Sequence, residues 1–487
     1  MGRVLEGKFE HFNVHYGNSK LSIAETIHSF LQTRIEDFAT LDIVYGDTYS
    51  TSLFKENSEV NLIMVANSDG SDEWDHVKRT EQGELVFPNE DFQNQDFSLT
   101  GSFRFTNTKA LEQSLDESIR TKRNASEMNR NSREFHDALK IYDSNQNETF
   151  NLKLDLSWKD LGHRRTYFKQ RKEHISKGTR VFNSLEFDLK AGWVTKSGVS
   201  EKMNAELNWF NSIPNALKQY VPSVKKHEDL NKYEIQYIPS IPLNEHWISE
   251  NPNKDFWIDL LLSLDNMLKD FASHTPVTTP KDLIKLKKSV YIQKVNERFD
   301  QFEVLVQKKS DATNSGLMTS TLESLTSTVL QDLLNACEIV SNLDGWSVIH
   351  GDLCFSNIIY DQINETPKLI DPKGSFGVTG IFGDPIYELL KLSQCILGDY
   401  DYFAANLFTL RKSNDELILD YPKTVEHEWI KSLFKDFLNE KLIAIGLDYK
   451  TFRTLEAGLF LSAAPLHSES DRWLALAIQA NAIIREL

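Results

Sequence analysis

The sequence is poor in the features that would assign it to a secreted, membrane or disulfide-rich class. Its 487 residues include three cysteines, and Cys337, Cys354 and Cys395 are too few and too widely spaced to indicate a disulfide framework or a zinc site. No stretch reaches the roughly 18 apolar residues that a membrane-spanning helix needs. The N-terminus lacks an apolar core of signal-peptide type. These absences predict a cytoplasmic protein without a membrane span.

Basic charge is also scarce. The chain has 54 lysines and arginines against 71 aspartates and glutamates, and its formal net charge is −17. Such a surface repels nucleic-acid phosphates, and no basic run offsets it, so we do not expect a nucleic-acid partner. Net charge does not exclude a small anionic ligand, because a nucleotide can bind wherever cations and Mg²⁺ collect locally.

The first part of the chain has the pattern of an α/β domain. Its length of 487 residues predicts two to four domains in all. Within residues 1–150, apolar runs at 41–45 and 60–65 are typical of buried strands, and residues 21–32 have helical spacing. Residues 151–179 are more polar and basic, and we interpret them as a connector.

The second part has a different organisation. Residues 180–240 contain several strand patterns and one helix, which predicts a small strand-rich lobe. Residues 241–487 are mainly helical, with long helices expected at 281–308 and 319–342. Three short strands are predicted within 347–370, and after them the pattern predicts helices to the end.

The sharpest chemical signal lies among those three strands. An apolar strand ends at His350, the next loop carries Asp352 and Asn357 five residues apart, and Asp371 ends a third strand nineteen residues after Asp352. Phosphoryl transfer needs a carboxylate that orients the attacking hydroxyl and accepts its proton, and an amide oxygen and a second carboxylate that hold a metal ion. Hard oxygen ligands suit Mg²⁺. The spacing matches the catalytic loop and the metal-binding acid of protein kinases.

Four motifs in order resemble the aminoglycoside phosphotransferase and choline kinase family, which shares the protein-kinase-like fold. They are His350-Gly351-Asp352, Asn357, Ile370-Asp371 and Gly383-Asp384-Pro385. The resemblance implies an α+β bilobal protein-kinase-like domain that acts on a small molecule. It implies Asp352 as the catalytic base, Asn357 and Asp371 as Mg²⁺ ligands, and Asp384 as a support of the catalytic loop.

The small lobe contains candidates for the nucleotide site. Lys196 ends an apolar strand and Glu206 follows ten residues later in a predicted helix, which matches the strand-lysine and helix-glutamate pair of kinases. Lys202 is the alternative lysine. No glycine-rich phosphate loop precedes either lysine. The segment around Gln236 and Ile238 resembles the hinge between the lobes, whose backbone groups would hold the base of ATP or GTP.

The N-terminal domain resembles the sugar nucleotidyltransferases. Its apolar strand ends in Gly46-Asp47, and in that family a similar aspartate binds Mg²⁺. The first 40 residues contain no glycine-rich loop with Arg and Lys, so a triphosphate would find no cradle of backbone N–H groups. We therefore expect a degenerate, non-catalytic nucleotidyltransferase-like α/β domain, in which Asp47 is a remnant.

Together these patterns predict a Mg²⁺-dependent phosphotransferase. It would move the γ-phosphate of ATP or GTP to a hydroxyl of a sugar or polyol, in bacterial surface-polysaccharide (capsule) metabolism. One alternative is a bifunctional kinase and nucleotidyltransferase. Another is a non-catalytic binding or scaffold protein that keeps both folds. An aminoglycoside-resistance enzyme is disfavoured, because the N-terminal domain has no role there.

Overall fold

The computed structural model describes most of the chain in two compact units, which divide near residue 178. The described residues are 21–33, 40–46, 48–51, 54, 60–67, 75–88, 96–122, 133–145, 149–160, 184–188, 191–229, 231–248, 254–277, 279–313, 316–362, 364–413, 416–422, 425–467 and 471–487. Asp47 and the connector beyond residue 160 lie outside them. No helix among the described residues is long and apolar enough to cross a membrane.

The N-terminal unit is a mixed sheet packed with helices. Its elements are α1 (Ile23–Thr33), β1 (Leu41–Val44), β2 (Thr48–Tyr49), β3 (Leu62–Asn67), β4 (His76–Arg79), β5 (Leu85–Val86), β6 (Phe97–Phe105), α2 (Thr108–Lys122), α3 (Arg133–Asn145), β7 (Asn151–Leu154) and β8 (Lys159–Asp160). The main sheet has the order β5-β4-β6-β3-β7, and β1 also pairs with β6. Among the described strand pairs of this sheet, β3 and β7 are parallel and the others antiparallel.

The long strand β6 organises the core of this unit. Phe103 and Phe105 are almost completely buried, and Phe103 meets Phe135 of α3 edge to face with ring centroids 5.2 Å apart. At the start of α1, Ser22 and Glu25 form a reciprocal capping box: the Ser22 N–H donates to Glu25 and the Glu25 N–H donates to the Ser22 hydroxyl. The expected helix and both expected strands of this unit are therefore present. Only β3 is buried as expected, because β1 alternates between half-buried and exposed residues and Val44 is 42% exposed.

The second unit begins with a small antiparallel sheet and one helix. Its elements are β9 (Ser184–Asp188), β10 (Trp193–Ser197), α4 (Ser200–Ser212), a 3₁₀ turn (Asn215–Tyr220), β11 (Val224–Lys226) and β12 (Lys232–Gln236). The strand order is β11-β12-β10-β9. Helix α4 packs against this sheet because it buries one apolar face, formed by Met203, Leu207, Trp209 and Phe210.

The larger lobe follows and is mainly helical. Its elements are α5 (Leu243–Ile248), α6 (Lys254–Ala272), α7 (Pro280–Lys288), a π-helical segment (Ser289–Gln293), α8 (Lys294–Thr313), α9 (Gly316–Ser341), β13 (Ser347–Val348), β14 (Ile358–Asp361), β15 (Thr366–Leu369), β16 (Phe382–Gly383), α10 (Pro385–Ile396), α11 (Tyr400–Ala404), β17 (Thr409–Ser413), β18 (Glu416–Asp420), α12 (Val425–Ile445), α13 (Tyr449–Ala463), a 3₁₀ turn (Ala464–His467) and α14 (Arg472–Arg485). The second unit thus consists of a four-stranded sheet with one packed helix, followed by a mainly helical lobe.

Two short strand pairs fix the loops that carry the candidate chemistry. β13 pairs with β16, and β14 pairs with β15 in register from Ile358↔Leu369 to Asp361↔Thr366. The loop between β13 and β14 holds Asp352 and Asn357, and the residue two positions after β15 is Asp371. Since β14 and β15 are hydrogen-bonded neighbours, the two loops emerge side by side.

The expectation of helices to the end of the chain was wrong in one segment. β17 and β18 form an antiparallel ribbon from Thr409↔Asp420 to Ser413↔Glu416. Leu417 and Leu419 alternate with their neighbours and pack toward the core, which is the period-two pattern of a half-buried strand. The predicted helix at 281–308 is also not continuous, because the π-helical segment Ser289–Gln293 divides it into α7 and α8.

A buried ion pair fixes the start of α10. Asp384 is the N-cap of this helix, and its carboxylate accepts a hydrogen bond from the Ile386 N–H at 3.0 Å. Its other oxygen lies 3.0 Å from the ammonium of Lys287 on α7, and both side chains are fully buried. Lys287 also donates to the Leu343 carbonyl at 2.8 Å. The pair therefore links α7, the end of α9 and α10.

We expect Lys287→Met to destabilise the second unit by roughly 3–5 kcal/mol, because it leaves the Asp384 carboxylate buried without a counter-charge. Urea unfolding followed by tryptophan fluorescence measures this change. The double variant Lys287→Met/Asp384→Asn removes both charges but keeps a capping side chain, and we expect it to recover part of the loss. A single variant as stable as wild type would contradict the assigned role of the pair.

Candidate active site

Lys196 is the centre of a buried ion-pair group. Its ammonium lies 2.7 Å from the carboxylate of Glu206 on α4 and 2.7 Å from Oδ1 of Asp371. The Tyr233 hydroxyl on the paired strand β12 donates to the same Glu206 oxygen at 2.8 Å. Burial alone would lower the pKa of Lys196, but the Asp371 and Glu206 carboxylates raise it above its ordinary value. Lys196 is therefore a fixed cation at neutral pH.

The other candidate residues of the small lobe, Lys202, Gln236 and Ile238, lie outside the buried group around Lys196. Lys202 also approaches Glu206, at 3.6 Å, but its side chain is exposed. In the hinge, the Gln236 N–H donates to the Ser223 carbonyl at 2.8 Å, so this donor is already used within the sheet. The Ile238 N–H makes no hydrogen bond among the described residues and is free to meet the edge of a base.

Asp352 forms an ion pair that the sequence motifs did not indicate. Its Oδ1 lies 3.0 Å from the ammonium of Lys391, in the second turn of α10. Burial alone would raise the pKa of Asp352, but the Lys391 ammonium more than offsets this and lowers the pKa to about 2. The carboxylate is therefore ionised at neutral pH. Its side chain remains 44% exposed, so a hydroxyl can approach it.

His350 holds the catalytic loop from inside. Its Nδ1 accepts a hydrogen bond from the Asp352 N–H at 3.3 Å, so its Nε2 carries the proton and donates to the Ile370 carbonyl at 2.8 Å. Burial lowers the pKa of His350, which keeps the ring neutral. The imidazole thus connects the loop of Asp352 to the strand end before Asp371.

Glu388 and Trp209 hold the backbone of the same loop. The buried Glu388 carboxylate accepts hydrogen bonds from the N–H groups of His350 at 3.0 Å and Gly351 at 2.8 Å. Burial raises the pKa of Glu388 to about 7. From the small lobe, the Trp209 indole N–H donates to the Ile349 carbonyl at 2.7 Å. Glu388, rather than Asp384, is the α10 side chain that contacts the catalytic-loop backbone directly.

Asn357 and Asp371 have oxygens that fit a Mg²⁺ ion. The Asn357 amide nitrogen donates to the Asp352 carbonyl at 2.8 Å, which turns its Oδ1 to the other side. Asp371 uses Oδ1 for Lys196 and has no described protein partner at Oδ2. The Ile370 N–H donates to the Asn357 carbonyl at 3.0 Å, so the two candidate ligands are on adjacent backbones. One amide and one carboxylate suit Mg²⁺ when phosphate oxygens complete its shell.

The backbone around Asp371 has an unusual conformation. Asp371 has φ = 57°, in the left-handed region, where aspartate and asparagine are tolerated better than most side chains. Gly374, three residues later, has φ = 67°, and a Cβ there would lie 2.5 Å from the carbonyl oxygen of Ala205. Ala205 precedes Glu206 on α4. The loop of Asp371 therefore packs against the helix of Glu206 through a glycine that no other residue could replace without movement.

Sequence reasoning identified the residues at the loop ends and Asp384, but it missed Glu388 and Lys391 of α10. Asp384, Glu388 and Lys391 are four and three residues apart, which places them on one helix face. Glutamate and lysine on the face of an otherwise apolar helix are the signal that could have indicated buried partners.

We expect Gly374→Ala to lower both stability and turnover, because the new methyl group meets the Ala205 carbonyl and separates Asp371 from α4. Gly192→Ala is a matched control: Gly192 has φ = 74°, but no atom lies within 4 Å of the position that a new methyl group would take. Both substitutions incur the cost of the left-handed backbone, about 1 kcal/mol, and only Gly374→Ala adds a clash. Equal effects of the two substitutions on thermal unfolding would contradict this.

We expect Lys391→Met to raise the pKa of Asp352 by roughly 1–3 units, since burial then acts without the opposing cation. The acidic limb of the pH dependence of kcat/KM should move upward accordingly. In the wild type, Asp352 is ionised at any pH well above about 2 and does not set that limb. Lys391→Arg keeps the charge and should keep the wild-type profile. Superimposable limbs for wild type and Lys391→Met would contradict the assigned role.

No protein-family model and no curated protein matches the chain. Solved structures do match it. A thermostable mutant of an aminoglycoside phosphotransferase, in a ternary complex with AMP-PNP and hygromycin B, is 12% identical, covers 65% of this chain and 98% of its own, and has a TM-score of 0.37. A choline/ethanolamine kinase family protein from Mesorhizobium loti is 10% identical, and the match covers 66% of this chain and 94% of that protein with a TM-score of 0.33. A choline kinase from Cryptosporidium parvum is 9% identical, and the match covers 63% of this chain and 87% of that protein with a TM-score of 0.36. A likeness with a TM-score below 0.5 assigns neither fold nor activity.

Proposed function

We propose that the second unit is a Mg²⁺-dependent small-molecule kinase that transfers the γ-phosphate of ATP or GTP to a hydroxyl group. The observation that carries this proposal is the contact of Lys196 with both Glu206 and Asp371 at 2.7 Å. Kinases need the lysine–glutamate pair and the metal-binding aspartate in place at the same time. Here strand β10, helix α4 and the loop after β15 bring the three groups together.

Asp352 is proposed as the catalytic base. Its carboxylate is ionised and partly exposed, with Lys391 at Oδ1 and the Asn357 amide nitrogen at Oδ2, and its exposed part forms an open side. The open side can accept a hydrogen bond from an acceptor hydroxyl, orient its oxygen toward the γ-phosphorus and take its proton as the bond forms. A carboxylate with a low pKa is a weak base, so its main contribution is to position the hydroxyl, and proton transfer follows late in the step.

The nucleotide would be held from three sides. The free Ile238 N–H and the Gln236 carbonyl would meet the base at the hinge. Lys196 would exchange its contact with Asp371 for an α- or β-phosphate oxygen while Glu206 keeps it oriented. Asn357 and Asp371 would hold Mg²⁺, which neutralises phosphate charge when it is bound.

The biological setting is a further part of the proposal. The acceptor would be a sugar, a polyol or a similar compound of bacterial surface-polysaccharide metabolism, as the two-part organisation of the sequence suggests. The N-terminal unit would be a degenerate nucleotidyltransferase-like domain. What supports this is its α/β sheet, with Gly46 two residues after the end of β1, and the lack of a triphosphate-binding glycine loop in the sequence.

We expect Asp352→Asn to lower turnover by about 10²–10⁴-fold while nucleotide affinity changes little, because the amide cannot accept the proton but keeps the shape of the side chain. The measurement is Mg²⁺-dependent consumption of ATP and GTP with a panel of sugars, polyols and hydroxy acids. Binding of a fluorescent nucleotide analogue gives the affinity separately.

Asp436→Asn is the matched control, because Asp436 is exposed on α12. Substrate-stimulated turnover that survives in Asp352→Asn would overturn the assignment of the base. Nucleotide binding without turnover for any acceptor would favour the scaffold alternative. Release of pyrophosphate from a nucleoside triphosphate with a phosphorylated sugar would favour the bifunctional alternative.

A further inference from the structure

Three lysines from separate segments surround Tyr387 and Asp352. We define the lysine cluster as Lys294 at the start of α8, Lys373 in the loop after Asp371 and Lys391 on α10. The Lys294 ammonium lies 5.8 Å from the centre of the Tyr387 ring, and the Lys373 ammonium lies 5.3 Å from it. Lys391 follows Tyr387 by one helical turn and contacts Asp352 at 3.0 Å.

The cluster has more positive than negative charge. Lys391 is paired with Asp352, but Lys294 and Lys373 have no carboxylate partner among the described residues. Glu388, the buried acid on the same helix as Tyr387 and Lys391, uses both oxygens for the N–H groups of His350 and Gly351. Two ammonium groups beside the Tyr387 ring therefore have no carboxylate partner of their own. This is unusual in a chain with a net charge of −17, and a bound anion would satisfy them.

The surroundings have the form of a binding surface. The Lys373 ammonium also lies 5.6 Å from the centre of the Phe376 ring. The centres of the Phe376 and Tyr387 rings are 5.2 Å apart, so the ammonium groups lie over a pair of packed aromatic rings. Tyr291 packs against the same two rings. It belongs to the π-helical segment that ends immediately before Lys294, and such segments are frequent at functional sites.

The cluster lies on the acceptor side of the proposed reaction. In an in-line transfer the acceptor approaches the γ-phosphorus from the face opposite the leaving nucleotide. Lys196, Glu206 and the hinge are on the nucleotide side, and no contact joins them to the three lysines in the part of the chain that the structure describes. Lys391 instead contacts Asp352, the residue that would meet the acceptor hydroxyl, and Lys373 and Lys294 lie over the ring of Tyr387, one helical turn before Lys391.

We propose that the acceptor carries an anionic group, a carboxylate or a phosphate ester, which Lys294 and Lys373 bind while its hydroxyl lies against Asp352. The inference rests on the proposed kinase function for the identity of the ligand as an acceptor. It makes hydroxy acids, uronic acids and sugar or polyol phosphates the substrate class. It also disfavours cationic acceptors, because an ammonium group would lie among three others.

Binding tests the anion site without any turnover. The full chain is saturated with Mg²⁺ and a non-hydrolysable ATP analogue, so that the nucleotide site is filled, and titrated calorimetrically with D-glucuronate, glycerol 3-phosphate, D-glucose and glycerol. We expect binding of at least one anion and weaker binding of its uncharged counterpart. Lys294→Met should weaken anion binding by about 10–100-fold, as loss of a charge-assisted hydrogen bond predicts. Lys294→Arg should retain it.

Steady-state kinetics then test the acceptor role. With an anionic acceptor that is phosphorylated, Lys294→Met and Lys373→Met should raise the KM of the acceptor by a similar factor and leave the KM of the nucleotide unchanged. Lys281→Met is the matched control, because Lys281 is exposed on α7. Thermal unfolding of each variant excludes loss of fold as the cause.

The outcomes separate this inference from the proposed function. Phosphorylation of neutral or cationic acceptors alone, or a change in the KM of the nucleotide instead of the acceptor, would overturn the anionic-acceptor inference and leave the kinase intact. Anion binding that depends on Lys294, together with turnover that is insensitive to Asp352→Asn, would overturn the kinase mechanism and leave the anion site. No binding of any anion in the presence of nucleotide would overturn the site itself.

Discussion

Lys196 joins the small lobe to the loop of Asp371 in the large lobe. Its two carboxylate partners are ten and 175 residues away in the sequence. An ammonium group that is almost fully buried needs compensating charge, and both acids are required because one of them, Glu206, is itself buried and shared with Tyr233. This one cation thus joins β10, α4 and the loop after β15 by charge.

Helix α10 has the corresponding role on the other side of the site. Its N-cap is Asp384, its Glu388 holds the backbone of the catalytic loop, and Lys391, three residues later, contacts Asp352. Polar groups buried in a helix interface are tolerated only when each has a partner. Glu388 and Lys391 find theirs in the loop of Asp352, and Asp384 is paired with the buried Lys287. The helix therefore both positions the loop of Asp352 and, through Lys391, keeps the Asp352 carboxylate ionised.

The sequence indicated much of this architecture because the relevant signals were local. The loop motifs with Asp352, Asn357 and Asp371 follow strand patterns directly, and the strands and the single helix expected within residues 180–240 are present. The signals that failed were non-local or ambiguous. The pairing of Lys391 with Asp352 depends on the distance between two elements, which residue spacing does not encode. The β17–β18 ribbon was missed because short alternating runs such as 416–420 compete with the helical pattern around them.

The backbone of Asp371 adds a constraint of a different kind. In the left-handed region a side chain must be short and able to hydrogen-bond locally, which leaves glycine, asparagine and aspartate as the practical choices. The proposed chemistry needs a carboxylate there. Glycine has no ligand oxygen, asparagine has no charge for Lys196, and glutamate has the charge but not the tolerance for this backbone. The backbone conformation and the proposed chemistry each accept several residue types, and aspartate is the one that satisfies both. Together they limit the substitutions that position 371 can tolerate.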